Sequence, residues 1–401
     1  MPSKPAPFRR AQRAAALSLS EIVRISEAAR ALQAEGKPVL TFGTGEPDFP
    51  TPPHVIEAAH QAALAGQTTY TPTQGTPALR QAIADQAGFE CDPAQVIVST
   101  GAKQVLSNAF MATLDPGDEV ILPAPFWTSY GDMFTLCGAK QVVVETSAET
   151  GFLLTPAALE AAITDKTRWL LLNTPGNPSG AMYSRAQLAA LAQVLRRHPN
   201  VWIIADEIYQ HIAYRPFTSF VSAAPDLADR TLIVNGVSKA HAMTGWRLGW
   251  GIGPAGLIKA MVAVQGQSTS GASSISQAAA LAALTGPQDH LASRCAEFQA
   301  RRDLVVDALN AMPGITCPTP EGAFYVFPSC AGTIGRKRPD GREIKSDADL
   351  CDYLLNEALV ALVPGRAFGL PGHVRLSYAY STENLTEGLA RIARALDALA
   401  P

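Results

Sequence analysis

Charged residues are scarce in this sequence. Of 401 residues, 17% are acidic or basic and the formal net charge is −3, so nothing predicts nucleic acid or an anionic membrane as a partner. Long apolar runs are missing as well, since none reaches the roughly 20 residues that a membrane-crossing helix needs. Cysteine is thin: Cys91, Cys137, Cys295, Cys317, Cys330 and Cys351 are scattered. They form no Cys-x-x-Cys, which argues against a zinc site or a disulfide framework and suits reduced thiols in a cytoplasm; no metal is expected. The glycines of Gly43-Thr44-Gly45 do not complete a dinucleotide fingerprint, because the third glycine is absent and prolines stand where the helix should begin. The first sixteen residues carry Arg9, Arg10 and Arg13 and no acid. A transit peptide has that composition, and so does a basic arm on the surface, which is the preferred reading; the apolar centre of a secretory signal is lacking.

What the chain does have is a large apolar fraction, 47%, and the length for two domains or for one large domain with a smaller one. Short apolar runs recur between helical patterns and read as buried strands: Val96–Val98, Glu119–Leu122, Gln141–Val144, Trp169–Leu172, Val201–Ala205 and Thr231–Val234. Polar residues of specific types stand just after them. Lys239 follows the last run, and an amine at the mouth of a buried strand loses its proton more easily and can form a Schiff base. Arg247 adds a planar donor fork suited to phosphate, and Ser238 a hydroxyl. Ser99-Thr100-Gly101-Ala102-Lys103 reads as strand, turn and helix start, where free amides and the helix dipole make an anion site. Asp206 ends the Val201 run, and Trp127 follows the Glu119 run. These spacings gather the residues at the carboxyl ends of strands, where open α/β sheets bind ligands.

Ser238-Lys239-x-x-x-Met243-Thr244-Gly245-Trp246-Arg247-x-Gly249 closely resembles the lysine segment of the class I/II pyridoxal-phosphate aminotransferases of fold type I, the aspartate aminotransferase family. Further segments follow in that family's order: Gly45-Glu46-Pro47-Asp48-Phe49, Asn177-Pro178-Ser179-Gly180, Asp206-Glu207-Ile208-Tyr209 and Val374-Arg375-Leu376-Ser377-Tyr378. The resemblance runs from about Ser18 to Leu399. It implies an α/β fold: a large domain with a mostly parallel seven-stranded sheet sandwiched by helices, plus a smaller α+β domain built from both ends of the chain. The expected division is 1–45 for an N-terminal arm and part of the small domain, 46–295 for the cofactor-binding domain and 296–401 for the C-terminal small domain.

By the same resemblance Lys239 carries pyridoxal 5'-phosphate, and Ser238, Arg247 and the amides of Ala102 and Lys103 hold its phosphate. Tyr70 reaches across a homodimer to the neighbour's phosphate. Trp127 stacks on the ring, Asp206 pairs with the ring nitrogen, and Asn177 and Tyr209 share its 3'-oxygen. Gly45 lies against the substrate, Arg375 binds its α-carboxylate, and Trp127 and Asn177 also face it; Tyr130 is a weaker candidate. Lys239, Asp206 and Tyr209 are the catalytic group. A carboxylate at the ring nitrogen keeps it protonated and electron-accepting, and Lys239 then moves the proton from the substrate's α-carbon. The implied activity is transfer of an amino group from an L-amino acid, aspartate-like or broad and aromatic, to a 2-oxo acid such as 2-oxoglutarate by a ping-pong mechanism. A C–S β-lyase of the same fold is the alternative.

Aminotransferase-like domains also serve as ligand sensors behind a DNA-binding domain. The stretch before Gly45 is short for such a domain, so a purely binding role is not expected. Gln265–Ser274 is small and polar, which suits a flexible linker; the resemblance instead puts this region at the neighbour's active site. One subgroup of aspartate aminotransferases carries an arginine there for the distal carboxylate. This chain has none, and Lys103, with Ser18 and Ser20, is the alternative contact for an acidic side chain. His241 departs from the phenylalanine often found at its place.

Overall fold

The computed structural model describes residues 8–17 and 21–401. Seven strands form its central sheet: β1 (Val96–Ser99), β2 (Glu119–Ala124), β3 (Lys140–Glu145), β4 (Thr167–Asn173), β5 (Trp202–Asp206), β6 (Thr231–Gly236) and β7 (Gly249–Ile252). Their order is β1-β7-β6-β5-β4-β2-β3. Only β7 is antiparallel to its neighbours, so the mostly parallel sheet expected from the sequence is present. Parallel neighbours require crossovers, and crossover helices cover both faces. That is why Leu170–Leu172, Ile203–Ala205 and Leu232–Val234 are buried without alternation. One face packs on Leu188, Leu191 and Leu195 of the helix Arg185–Arg197. The other packs on Val105, Leu106 and Phe110 of the helix Ala102–Thr113 and on Ile258 and Met261 of the helix Ala255–Gly266.

The run Gln141–Val144 corrects one expectation. It is a strand but not a buried one: β3 pairs only with β2, and its residues are exposed or half-buried, Val143 at 40%. Three valines in a row look the same at an edge as in the middle of a sheet, and only the pairing separates the two. Lys140 and Glu145 mark the solvent-facing edge. Of residues 265–274, Gln265 and Gly266 close one helix and Ser274 opens the next, and the exposed turn 267–270 lies between the buried Gln265 and Ala272.

A second core joins the two ends of the chain. Leu40–Thr41 pairs in parallel with Val360–Ala361. A small antiparallel sheet sets Val374–Ser377 between Val363–Pro364 and Tyr325–Val326. Phe42 packs in one cluster with Phe298, Tyr325, Leu376 and Leu389. Two helices, Ser274–Thr285 and Asp289–Asn310, follow one another and are parted at Gly286-Pro287. Residues 8–16 are exposed, with one short helix, Gln12–Ala15. No helix among the described residues is long and apolar enough to cross a membrane. The carboxyl ends of the parallel strands and this second core face each other across one cavity.

Candidate active site

The cavity encloses about 420 Å³. Every residue singled out from the sequence as a site residue lines it except Tyr70, which is 96% exposed on a loop elsewhere. Ser18 and Ser20 lie outside the described residues.

One end of the cavity is a cup for an anion. The helix Ala102–Thr113 begins after Gly101, at φ 89°, without a side-chain cap, so its first amides are left for a ligand. Two glycines keep the cup open. A Cβ on Gly249 would stand 2.4 Å from the Ala102 nitrogen, and one on Gly101 would stand 2.8 Å from the Arg247 guanidinium. Arg247 is steered there by a bond from Nη1 to the Thr244 carbonyl, 2.8 Å. A guanidinium set against the positive end of a helix is unfavourable unless an anion comes between them. Lys103 adds to the same field: burial and then Arg247 pull its pKa down, with Asp132 opposing. Its Nζ donates to Ser129 Oγ at 3.2 Å and sits 4.8 Å over the Trp127 ring.

At the centre, Lys239 Nζ donates to the Gly45 carbonyl at 2.6 Å and lies 5.8 Å from the centre of the Tyr209 ring. Its pKa is lowered to about 8, chiefly by burial; Glu46 works against this, and Arg375 and Arg247 add to it. Glu46 is held by Thr244 Oγ1 at 2.5 Å. Asp206 is 4% exposed. It accepts from Tyr130 Oη at 2.6 Å and from the Ile208 amide at 3.3 Å. Burial raises its pKa to about 6, although both of these bonds and Lys239 favour the ionised form. A carboxylate kept in so dry a place without a bonded cation is suited to a cationic ring nitrogen.

The far wall is Arg375, 2% exposed and held between the Tyr325 and Phe368 rings, each 4.8 Å away. Its Nη1 donates to Asn177 Oδ1 at 3.1 Å and its Nη2 to the Gly43 carbonyl, while its buried Nε has no partner. A buried donor left unmet suits a site that takes a carboxylate. Asn177 spends its oxygen on Arg375, so its amide hydrogens remain available. Sequence reading did not assign Asn173, which fixes Asn177: Asn173 Oδ1 accepts from the Asn177 amide at 2.8 Å, and Nδ2 donates to the Asp206 carbonyl at 3.0 Å. Tyr325 was not assigned from the sequence either. Its hydroxyl meets that of Tyr209 at 2.9 Å, and a Cβ on Gly45 would come within 2.5 Å of it. A tyrosine in an otherwise apolar strand was the available signal, since its hydroxyl must find a partner.

Two neighbours of the site turn outward. Glu207 accepts from Ser219 Oγ at 2.8 Å and the Phe220 amide at 3.0 Å, with burial raising its pKa to about 7. His241 is buried against His290, nitrogen to nitrogen at 3.0 Å, and burial first and His290 next lower its pKa to about 3. It does not line this cavity.

An amine of lowered pKa, a dry carboxylate, a cationic cup and a second guanidinium match pyridoxal phosphate point for point: aldehyde, ring nitrogen, phosphate and, beyond it, a substrate carboxylate. The fold and site are those of a fold type I pyridoxal-phosphate enzyme. The family model for aminotransferase class I and II matches residues 37–392. The chain is 54% identical to an aspartate aminotransferase of Rhizobium meliloti over 99% of its own length and 98% of that protein's. It is 51% identical to an aspartate/prephenate aminotransferase of Cereibacter sphaeroides over 93% of this chain and 95% of the other. A crystal structure of the aspartate aminotransferase from Rhizobium meliloti superposes with a TM-score of 0.96 at 52% identity, covering 98% of this chain and all of that one. The chain belongs to the class I and II aminotransferase family and is a pyridoxal-phosphate-dependent aminotransferase.

Proposed function

We propose that this aminotransferase takes its amino group from aspartate and passes it to a 2-oxo acid such as 2-oxoglutarate, working as a cytoplasmic homodimer. The observation that carries the substrate is Lys103: an ammonium at the rim of the cavity, with no arginine in residues 265–274 to compete for an acidic side chain. The names of the relatives point the same way. The division of the chain at 45 and 295 belongs to this proposal; the packing of Phe42 with the C-terminal strands supports joining the two ends, and 295 falls inside the helix Asp289–Asn310.

When bound, pyridoxal phosphate supplies an aldehyde for an amine and a ring that accepts electrons. Ser238, Arg247 and the amides of Ala102 and Lys103 hold its phosphate. Asp206 keeps the proton on the ring nitrogen, with Tyr130 fixing the orientation of the carboxylate. Asn177 and Tyr209 donate to the 3'-oxygen. Trp127 covers one ring face and excludes water. Arg375 and Gly45 would place the substrate's α-carboxylate, and Lys239 would take the proton from the substrate's α-carbon. Tyr70 serves the phosphate of a second copy of the chain.

A panel of amino donors with 2-oxoglutarate tests the substrate. Aspartate is expected to be preferred, with no release of pyruvate or ammonia. Lys103→Ala is expected to lower kcat/KM for aspartate about 10- to 100-fold and to leave alanine nearly unaffected, the size of a lost charged hydrogen bond. Equal turnover of alanine or phenylalanine with none of aspartate contradicts the reading. Arg375→Lys is expected to raise KM for donor and acceptor alike by about 100-fold, because a point charge cannot replace the planar fork; steady-state kinetics with both substrates check it.

A further inference from the structure

The loop that carries Tyr70, Thr68-Thr69-Tyr70-Thr71-Pro72-Thr73-Gln74-Gly75-Thr76, is anchored from within at Gln74, whose Nε2 donates to the Ala94 carbonyl at 3.0 Å and the Val96 carbonyl at 2.7 Å. Two buried glutamines hold it. Gln265, 0% exposed at the end of the helix Ala255–Gly266, uses its whole amide. Its Nε2 donates to the Thr73 carbonyl at 2.7 Å and to the Val98 carbonyl at 2.8 Å. Its Oε1 accepts from Ser99 Oγ at 2.5 Å and from Asn108 Nδ2 at 2.9 Å. Gln277, 1% exposed on the helix Ser274–Thr285, accepts from the Thr76 amide at 2.8 Å and donates to Thr71 Oγ1 at 2.9 Å and the Ala272 carbonyl at 2.9 Å. Between them Gly75, at φ 110°, lies so close to β1 that a Cβ would meet Val98 at 2.7 Å. Six of these seven bonds go to the loop, to β1 or to the helix that starts at Ala102. A buried amide that loses a partner costs far more than the bond contributes when made, so each glutamine fixes one pose of the loop.

We propose that Gln265 and Gln277 are positioning residues that hold the Tyr70 loop in the pose that delivers its hydroxyl to the phosphate site of a second copy of this chain. Through Ser99, two residues before Gly101, Gln265 also ties that loop to the chain's own anion cup. Each subunit's hold on its own phosphate is thereby linked to the help it gives its neighbour. The inference rests on the role of Tyr70 proposed above.

The test is the rate at which the dimeric holoenzyme releases pyridoxal phosphate to an excess of a trapping protein. It is measured for the wild type, Tyr70→Phe, Gln277→Met and the double variant. Tyr70→Phe is expected to speed release about tenfold. Gln277→Met is expected to speed it about fivefold alone and less than about twofold on top of Tyr70→Phe, because both act through one contact. Thr71→Val, which removes a single bond of the clamp, is expected to speed release about twofold with the same loss of effect in the Tyr70→Phe background; it serves if Gln277→Met does not fold. Equal fold-changes in both backgrounds overturn the positioning role while leaving Tyr70 in place. No change with Tyr70→Phe overturns the role of Tyr70 itself and the inference with it.

Discussion

Replacing Lys239 by alanine is expected to reduce transamination about 10,000-fold or more while the protein still folds. Two functions are lost together: the amine that holds the cofactor and the base that moves the α-proton. The residue is suited to both because its pKa lies near 8. The folded protein binds the Lys239 proton less tightly than an ordinary lysine does, so the neutral amine gains as pH rises. Capture of added pyridoxal phosphate by the cofactor-free protein is therefore expected to speed up about tenfold per pH unit below pH 8 and to level off above it. Stopped-flow absorbance checks both claims. A rate that stays flat from pH 6 to 9 would mean that burial does not set the reactivity of this lysine.

Asp206→Asn is expected to act in opposite directions on activity and stability. Asparagine cannot hold a proton on the ring nitrogen, and turnover is expected to fall about 1,000-fold. The cofactor-free variant is nevertheless expected to be more stable than the wild type at neutral pH. Burial, the dominant cause, raises the Asp206 pKa from 3.8 to about 6, which corresponds to roughly 3 kcal/mol of stability given up by ionising a buried acid. The sign follows from proton binding. The folded state binds this proton more tightly than the unfolded state, so the wild type loses stability as pH rises from about 4 to 6, and the loss is complete above that range. The gain from the substitution is then absent near pH 4 and full at pH 7. Denaturant melts of both cofactor-free proteins at the two pH values check it; a less stable variant at pH 7 contradicts the account.

The asymmetry between what the sequence revealed and what it hid has a physical origin. Asp206 ends a strand and Lys239 stands three residues past one, so an apolar run followed by polar residues marks both locally, whereas Asn177, four residues beyond its strand, was marked only through resemblance. Arg375 lies within a short strand, and the residues around it marked it only through resemblance. The contacts that complete the site join residues far apart in sequence. Tyr209 meets Tyr325, Arg375 meets Asn177, and Tyr130 meets Asp206, and no local period encodes those encounters. Position within the sheet was hidden for the same reason. The valines of β3 carried an apolar signal but not the fact that one side has no partner strand. Gln265 was read as part of a small polar stretch and Gln277 was given no role, because a buried amide announces itself only through the groups that satisfy it.

The central claim is that one particular amine holds the cofactor. Borohydride reduction of the holoenzyme followed by proteolysis and mass spectrometry tests it most directly. The cofactor's mass is predicted on the peptide containing Lys239 and nowhere else, and it is predicted to be missing from the Lys239→Ala protein treated in the same way. Attachment at Lys103 or any other lysine, or at no lysine, would contradict the account.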